Sequence, residues 1–491
     1  MTTPHYHLHG CSAGSKERGE ASSSAYAGNP DDYAWIVNFN NGNVNWNNRH
    51  NHACVRAVRS VASPVAGEYQ GAYERDGTVS LRSLYAAWSD ARRGKRPSVD
   101  QLRFETRAID ELAVLHEQLN AGTWRPSTTT CFVATRPKAR EIHAPSFRDR
   151  VAHHWLVPQL ERLYERMFVH DSYANRPGKG THAAVRRLES FVRQVHSGQG
   201  GGHFLQLDIH NFFNSIHRGT LYALLKRRMV ARALPLPAQR ATHALLSRSP
   251  TDYGVVTRAT PSERALVPLH KRLDHAPKGC GLPIGNLSSQ FFANVYLHEL
   301  DAFVKHVLKA RRYVRYVDDF VLVHESRDQL DLWRREIERF LASRLRLSLK
   351  PDIKLRPLTA GIDFLGYVVR PRGTLVRDRV VRHARAALRS WQQAHVGIAA
   401  IRATPAAYRR VASIWGSYRG HFLHARARRL QADFHRRFPW LAQVAERRLR
   451  FDYRAEGRVI QIRRASCSEP SKLPRNSSRT SSSPRSRLCA T

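Results

Sequence analysis

From about Tyr69 onward, apolar and polar residues recur with the periods of regular structure. The run "SLRSLYAAWSDARRGKRPSVDQLRFETRAIDELAVLHEQLNAGTW" has apolar residues at helical spacing, broken at Pro97 and Gly122. It predicts two helices separated by a basic turn. After Arg140, "EIHAPSFRDRVAHHWLVPQLERLYERMF" reads as a short extended piece followed by an amphipathic helix. The middle third alternates apolar strands with helices. Within it, "HFLQLDIHNFFNSI" (His203 to Ile216) is a short apolar strand reaching Asp208, then a turn with two adjacent phenylalanines. Further on, "RRYVRYVDDFVLVHES" sets two aspartates, Asp318 and Asp319, between two β-rich apolar runs, as in a tight hairpin. From about Arg377 to Arg450 the chain is helical, aromatic and very basic.

The two ends lack such periods. Residues 1 to about 63 are rich in Gly, Ser, Asn and His and show neither the helical nor the strand repeat. The final stretch, "ASCSEPSKLPRNSSRTSSSPRSRLCAT", holds nine serines and three prolines and almost nothing to bury. Both are expected to be disordered.

Composition adds a partner class. Lys and Arg number 80 against 40 acidic residues in 491, a formal charge of +40, far beyond what solubility requires. A polyanion is the natural partner, and nucleic acid is the commonest one. Anionic membrane competes, but no apolar run reaches the ~18 residues a span needs and no signal segment opens the chain, so a cytoplasmic protein is expected. Hydrophobic residues make up 42%, enough for a core in a chain of about two to four domains. The six cysteines are scattered with no Cys-x-x-Cys pair; they suggest neither a disulfide framework nor a zinc ribbon and read as reduced bystanders. Histidines 5, 7, 9, 50 and 52 read as solvated.

The chemistry centres on Asp208, Asp318 and Asp319. Carboxylates at a hairpin tip repel one another unless a cation sits between them, although an Asp-rich turn that caps itself is the bland alternative. A third carboxylate ending another strand tips the balance. Three such groups can hold two Mg²⁺ ions, one activating an attacking 3′-hydroxyl and one holding a triphosphate, which is nucleotidyl transfer.

The order of these blocks resembles a reverse transcriptase. That resemblance implies an α+β right-hand polymerase: fingers, a palm of antiparallel sheet plus helices, and a helical thumb. It places N-terminal helices and fingers at 64-200, the palm at 201-370 and a basic thumb at 371-464, and does not cover the low-complexity arm at 1-63 or the Ser-rich tail at 465-491. Asp208, Asp318 and Asp319 become the catalytic metal ligands, and Phe213 the ring that excludes a 2′-hydroxyl, leaving Phe212 to the core. "DSYANRPGKGTHAA" resembles fingers in which Arg176 and Lys179 face template or triphosphate. In "LRLSLKPDIKLRPLTAGIDFLGYVV", Lys350 would be a general acid near the leaving pyrophosphate, with an ordinary solvated lysine as the alternative. Phe364, Leu365, Gly366 and Tyr367 would grip the primer.

Subtype rests on "GLPIGNLSSQFFAN". Most reverse transcriptases carry Gln-Gly here, with Ser-Pro four residues on; this chain has Ile284-Gly285 and Ser289-Gln290. The pattern resembles the enzymes of diversity-generating retroelements, which copy a template-repeat RNA into cDNA with errors at adenine for mutagenic retrohoming into a variable target gene. Implied partners are template RNA, a DNA primer, dNTPs and a small basic accessory variability protein. The alternatives are an intron-type or defence-associated reverse transcriptase and a catalytically silent RNA-binding relative.

The arm fits the same picture. Eight asparagines lie between Asn38 and Asn51, and both Asn codons begin with two adenines. "WIVNFNNGNVNWNNRHNHACVRAVR" therefore reads as an adenine-rich template repeat translated in frame, ahead of the true start. A ligand-binding domain in so short an arm is disfavoured.

Overall fold

The computed structural model describes residues 33–37, 44–48, 73, 77–94, 96–135, 138–197, 201–397, 400–442 and 460–463. At its centre lies a four-stranded antiparallel sheet in the order Tyr313–Tyr316, Asp319–His324, His203–Asp208, Lys354–Pro357. The two middle strands are apolar without alternation, because both their faces are covered. Phe204, Leu205, Leu207, Phe320, Val321, Leu322 and Val323 are all buried. Helices Thr181–His196 and Arg327–Phe340 pack on this sheet. A single apolar core runs from Val79 to Val369, and a second, from Val380 to Leu441, belongs to the C-terminal helices.

The hairpin of the sheet is held from behind by one buried ion pair. Arg315 and Asp301 have no solvent exposure. The guanidinium donates to both Asp301 oxygens at 2.6 and 2.7 Å, to Ser172 Oγ at 2.9 Å and to the Val317 carbonyl at 2.9 Å. Tyr313 donates its hydroxyl to the same carboxylate at 2.6 Å. The Val317 bond matters because Val317 has φ of 56°. A β-branched residue in the left-handed region costs roughly 1–3 kcal/mol and persists only where its surroundings impose it.

Four expectations change. The stretch after Ser80 forms three helices, Leu81–Arg92, Val99–Glu105 and Ala108–Ala121, because Ser98 caps a new start by accepting from Gln101 N and Arg107 leaves helical angles. Helix Phe147–Tyr164 is not amphipathic: Val151, His153, Trp155, Leu156, Gln159 and Leu160 are all buried, so it is sandwiched within the core. The C-terminal region is not purely helical. Besides Asp378–His395, Pro405–Phe422 and Arg428–Arg437 it contains strand Ala400–Ala403, paired with Ile460–Arg463. Finally, the arm is not devoid of strands: Tyr33–Val37 and Val44–Asn48 pair antiparallel, with Trp35 opposite Trp46. The tail at 465-491 lies outside the described residues, as does the rest of residues 1-63.

Breaking the buried pair leaves a desolvated guanidinium without its counter-charge. Asp301→Ala should therefore lose about 3–5 kcal/mol of stability in chemical denaturation. A loss under about 1 kcal/mol would show that the pair does not hold the hairpin.

Candidate active site

The sheet register brings the three aspartates together. Asp208 ends its strand directly opposite Asp319, the first residue of the neighbouring strand, and Tyr316 faces Asp319 from the other side. Val317 and Asp318 make the turn between, and Ile209 N donates to the Asp318 carbonyl at 3.3 Å. Gln206, the one polar residue inside its strand, donates to Asp319 Oδ1 at 3.2 Å and to the Asp363 carbonyl at 2.9 Å. Lys350 reaches Asp208 twice: its backbone N–H donates to the Asp208 carbonyl at 2.8 Å and its ammonium to Oδ2 at 2.5 Å.

This cluster is electrostatically unfinished. Loss of water, then the neighbouring Asp208 charge, pushes Asp318 up to about 6 despite Lys350 and Arg140. Loss of water does the same to Asp319, up to about 8, against the Gln206 hydrogen bond and with Asp208 and Asp318 adding repulsion. Asp208 Oδ1 is buried and has no hydrogen-bond partner. Three converging carboxylates, one with an orphaned buried oxygen and two held partly protonated near neutrality, fit a divalent cation.

The other expected residues are spread more widely. Phe212 is buried and Phe213 part-exposed, and the Phe213 carbonyl accepts from Leu282 N at 2.9 Å. That bond ties the turn after Asp208 to the Ile284 segment. Ile284 is part-exposed, with its carbonyl held by His143 N at 2.8 Å. Gly285 (φ 119°) lies so close to that strand that a Cβ would sit 2.9 Å from Ile142 Cγ2 and 3.2 Å from the His143 carbonyl. Gln290, part-exposed, follows in the helix Leu287–Ala302.

Arg176 is not turned toward the aspartates. It is buried, paired with Glu165 at 2.8 Å and donating to the Val169 and Ser172 carbonyls at 2.7 and 2.9 Å, so it knits its own loop. Lys179 likewise donates to the His170 carbonyl at 3.0 Å and lies over the Tyr173 ring. Phe364, Leu365 and Tyr367 are buried, with Leu365 and Gly366 (φ 54° and 87°) forming the hairpin turn. Tyr367 stacks on His421 at 4.1 Å and donates to its carbonyl at 3.0 Å, joining the first core to the second.

Sequence reasoning placed "REIHAPSFRDR", from Arg140 to Arg150, among blocks resembling fingers but gave Arg140 no role of its own and passed over Lys138. Burial lowers Arg140, against the opposing charges of Asp318 and Asp208. Burial, then Arg379, Lys350, Lys271 and Arg140, lowers Lys138. Arg140 opens the strand Arg140–Ala144 and Lys138 lies two residues before it, so the start of this strand forms a positive wall near the carboxylates. The signal was the basic run "RPKAR" leading into an apolar strand. Among the described residues no helix is long and apolar enough to cross a membrane.

Comparison with known proteins follows the same blocks. The family described as reverse transcriptase (RNA-dependent DNA polymerase) matches residues 134–369. Protein YkfC of Escherichia coli (strain K12) is 24% identical over 323 residues, 58% of this chain and 77% of that protein. The group II intron-encoded protein LtrA of Lactococcus lactis subsp. cremoris is 21% identical over 341 residues, 56% of this chain and 52% of LtrA. The chain thus spans about half of LtrA's length. In solved structures, telomerase from Candida albicans in complex with a TWJ fragment of telomeric RNA has 12% identity and a TM-score of 0.35, covering 66% of this chain and 57% of that one. That likeness is too loose to argue from.

The raised carboxyl pKa values carry a signed consequence. As pH rises past the ordinary value of 3.8, the unfolded chain sheds these protons before the folded one does. The metal-free fold therefore loses stability from about pH 4 until Asp319 has ionised near about pH 8. Added Mg²⁺ should raise Tm strongly above about pH 8 and little near about pH 5, with the dependence flattened in Asp319→Asn. An equal Mg²⁺ shift at both pH values would contradict the assignment.

Proposed function

We propose that this chain, an RNA-directed DNA polymerase whose residues 134–369 match the reverse transcriptase (RNA-dependent DNA polymerase) family, copies a template-repeat RNA into cDNA with errors at adenine. The observation that carries the catalytic half is the convergence of Asp208, Asp318 and Asp319 at one end of a buried sheet. Asp208 and Asp318 are the principal cation ligands, and Asp319, tied to Gln206, is the more remote. Bound there, two Mg²⁺ ions would activate the primer 3′-hydroxyl and neutralise the triphosphate.

The protein's own groups do the positioning. Arg140 and Lys138 offer positive charge to the triphosphate across from the carboxylates. Lys350, already within hydrogen-bond reach of Asp208, would pass a proton to the leaving pyrophosphate. Phe213, half-buried in the short helix Phe212–Ser215 that follows Asp208, would exclude a 2′-hydroxyl by volume. On this reading the four-stranded sheet is the palm, the region before it the fingers, and the basic helices from Asp378 the thumb, which clamps duplex through phosphates. The turn at Leu365 and Gly366 offers the primer mainly backbone, since Phe364 and Tyr367 face inward.

The mutagenic half rests on Ile284. Its backbone is fixed by His143 and by the close approach of Gly285, so the side chain occupies a set place. An aliphatic group there has no donor or acceptor, whereas a glutamine would hydrogen-bond. The nascent pair is held with less restraint, and mispairing is penalised less. Template RNA, a DNA primer, dNTPs and a basic accessory protein are the partners this reading implies, in the cytoplasm. The likeness to LtrA favours an intron-type enzyme as the second reading. A nearby copy of the Trp35 to Arg59 coding stretch differing at adenines would separate the two.

Ile284→Gln should lower misincorporation opposite template adenine by several-fold, measured by sequencing cDNA from an RNA template, while errors opposite other bases stay level. An unchanged adenine error would detach mutagenesis from this side chain.

A further inference from the structure

Away from the aspartates, strands Thr129–Ala134 and Arg140–Ala144 enclose a different cluster. Cys131 and His143 are directly opposite in the antiparallel register. Glu141 precedes His143 by two positions and so shares its face of the sheet. The three side chains are 2%, 5% and 3% exposed. One ligand atom from each lies within 4.8 Å of the other two. Sulfur, imidazole nitrogen and carboxylate oxygen together form a zinc donor set rather than a magnesium one.

We propose that Cys131, Glu141 and His143 bind a zinc ion between these two strands, a structural site separate from the aspartates. Donors this close can meet one ion at zinc bond lengths of about 2.0–2.3 Å after a small side-chain adjustment. The fourth position falls to water, since the nearby Asp274 is paired with Arg264.

Three further observations support the site. His143 Nδ1 is buried and has no hydrogen-bond partner, an orphan for which the protein supplies nothing. Glu141 is already ionised and positioned: it accepts from Leu273 N at 2.8 Å and contacts His143 Nε2 at 3.1 Å, while Arg264 faces its other oxygen at 3.7 Å. The charge also balances, because Zn²⁺ with one thiolate and one carboxylate is neutral and the neighbouring Arg264 is paired with Asp274. Without metal, burial and then the Glu141 charge hold the Cys131 thiol up at about 12, so it is protonated. Binding forms the sulfur–zinc bond and releases that proton to solvent.

The location gives the ion a purpose. Its strand carries Arg140 at one end, and its His143 N–H holds the Ile284 carbonyl. Zinc would stiffen the wall that faces the carboxylates and fixes Ile284.

The test uses the full chain, purified without chelator. Elemental analysis should find about one zinc per chain. Replacement by Co²⁺ should give a thiolate-to-cobalt charge-transfer band, and calorimetry in buffers of different ionisation heat should show proton release. Cys131→Ser and His143→Gln should lose the band, while Asp208→Asn keeps it. Should both site variants fail to fold, the wild-type cobalt spectrum still decides. No thiolate–cobalt band in the wild type, or full zinc retention by a folded Cys131→Ser, overturns the proposal.

Discussion

The buried pair of Arg315 and Asp301 is the constraint on which the rest of the site depends. An arginine with no solvent exposure is tolerable only with its charge met and its donors filled, and Asp301, Ser172 and the Val317 carbonyl do this. The bond to Val317 carries the pair's effect forward. It holds a valine in the left-handed region between Tyr316 and Asp318, which turns Asp318 back toward Asp208. Strain at the tip is thus stabilised by an ion pair inside the core.

The same logic extends outward as electrostatics. The sheet gathers negative charge that it cannot itself satisfy, as the raised Asp318 and Asp319 and the orphaned Asp208 oxygen show. Opposite stands a strand bearing Arg140, with Lys138 just before it. A cation between carboxylates and a polyanionic substrate against the basic wall would complete both halves. The excess of positive charge along the chain, +40 overall, suits long-range attraction of nucleic acid but does not place it.

Much of this was legible in the residues. A lone polar residue closing an apolar run marks a strand end, so Asp208 and the Asp318–Asp319 turn could be found from "FLQLD" and "YVDDF". The strain at Val317 could not, because nothing in a valine announces positive φ. The resemblance turned Arg176 toward template or triphosphate, yet Arg176 is consumed by Glu165, a partner visible only once the loop folds back. The helix at Phe147 kept enough polar residues to look two-faced, although His153 and Gln159 are buried with the rest. Scattered cysteines hid Cys131, since its neighbours Glu141 and His143 come from the next strand and only the register joins them.

Templated DNA synthesis by the purified full chain is the most direct test of the assembled carboxylates. Extension of a DNA primer on an RNA template with Mg²⁺ and dNTPs should be robust in the wild type. It should fall by at least about a hundredfold in Asp318→Asn, whose volume and fold are preserved. Equal synthesis by wild type and Asp318→Asn would contradict the account, as would no synthesis by the wild type on any template.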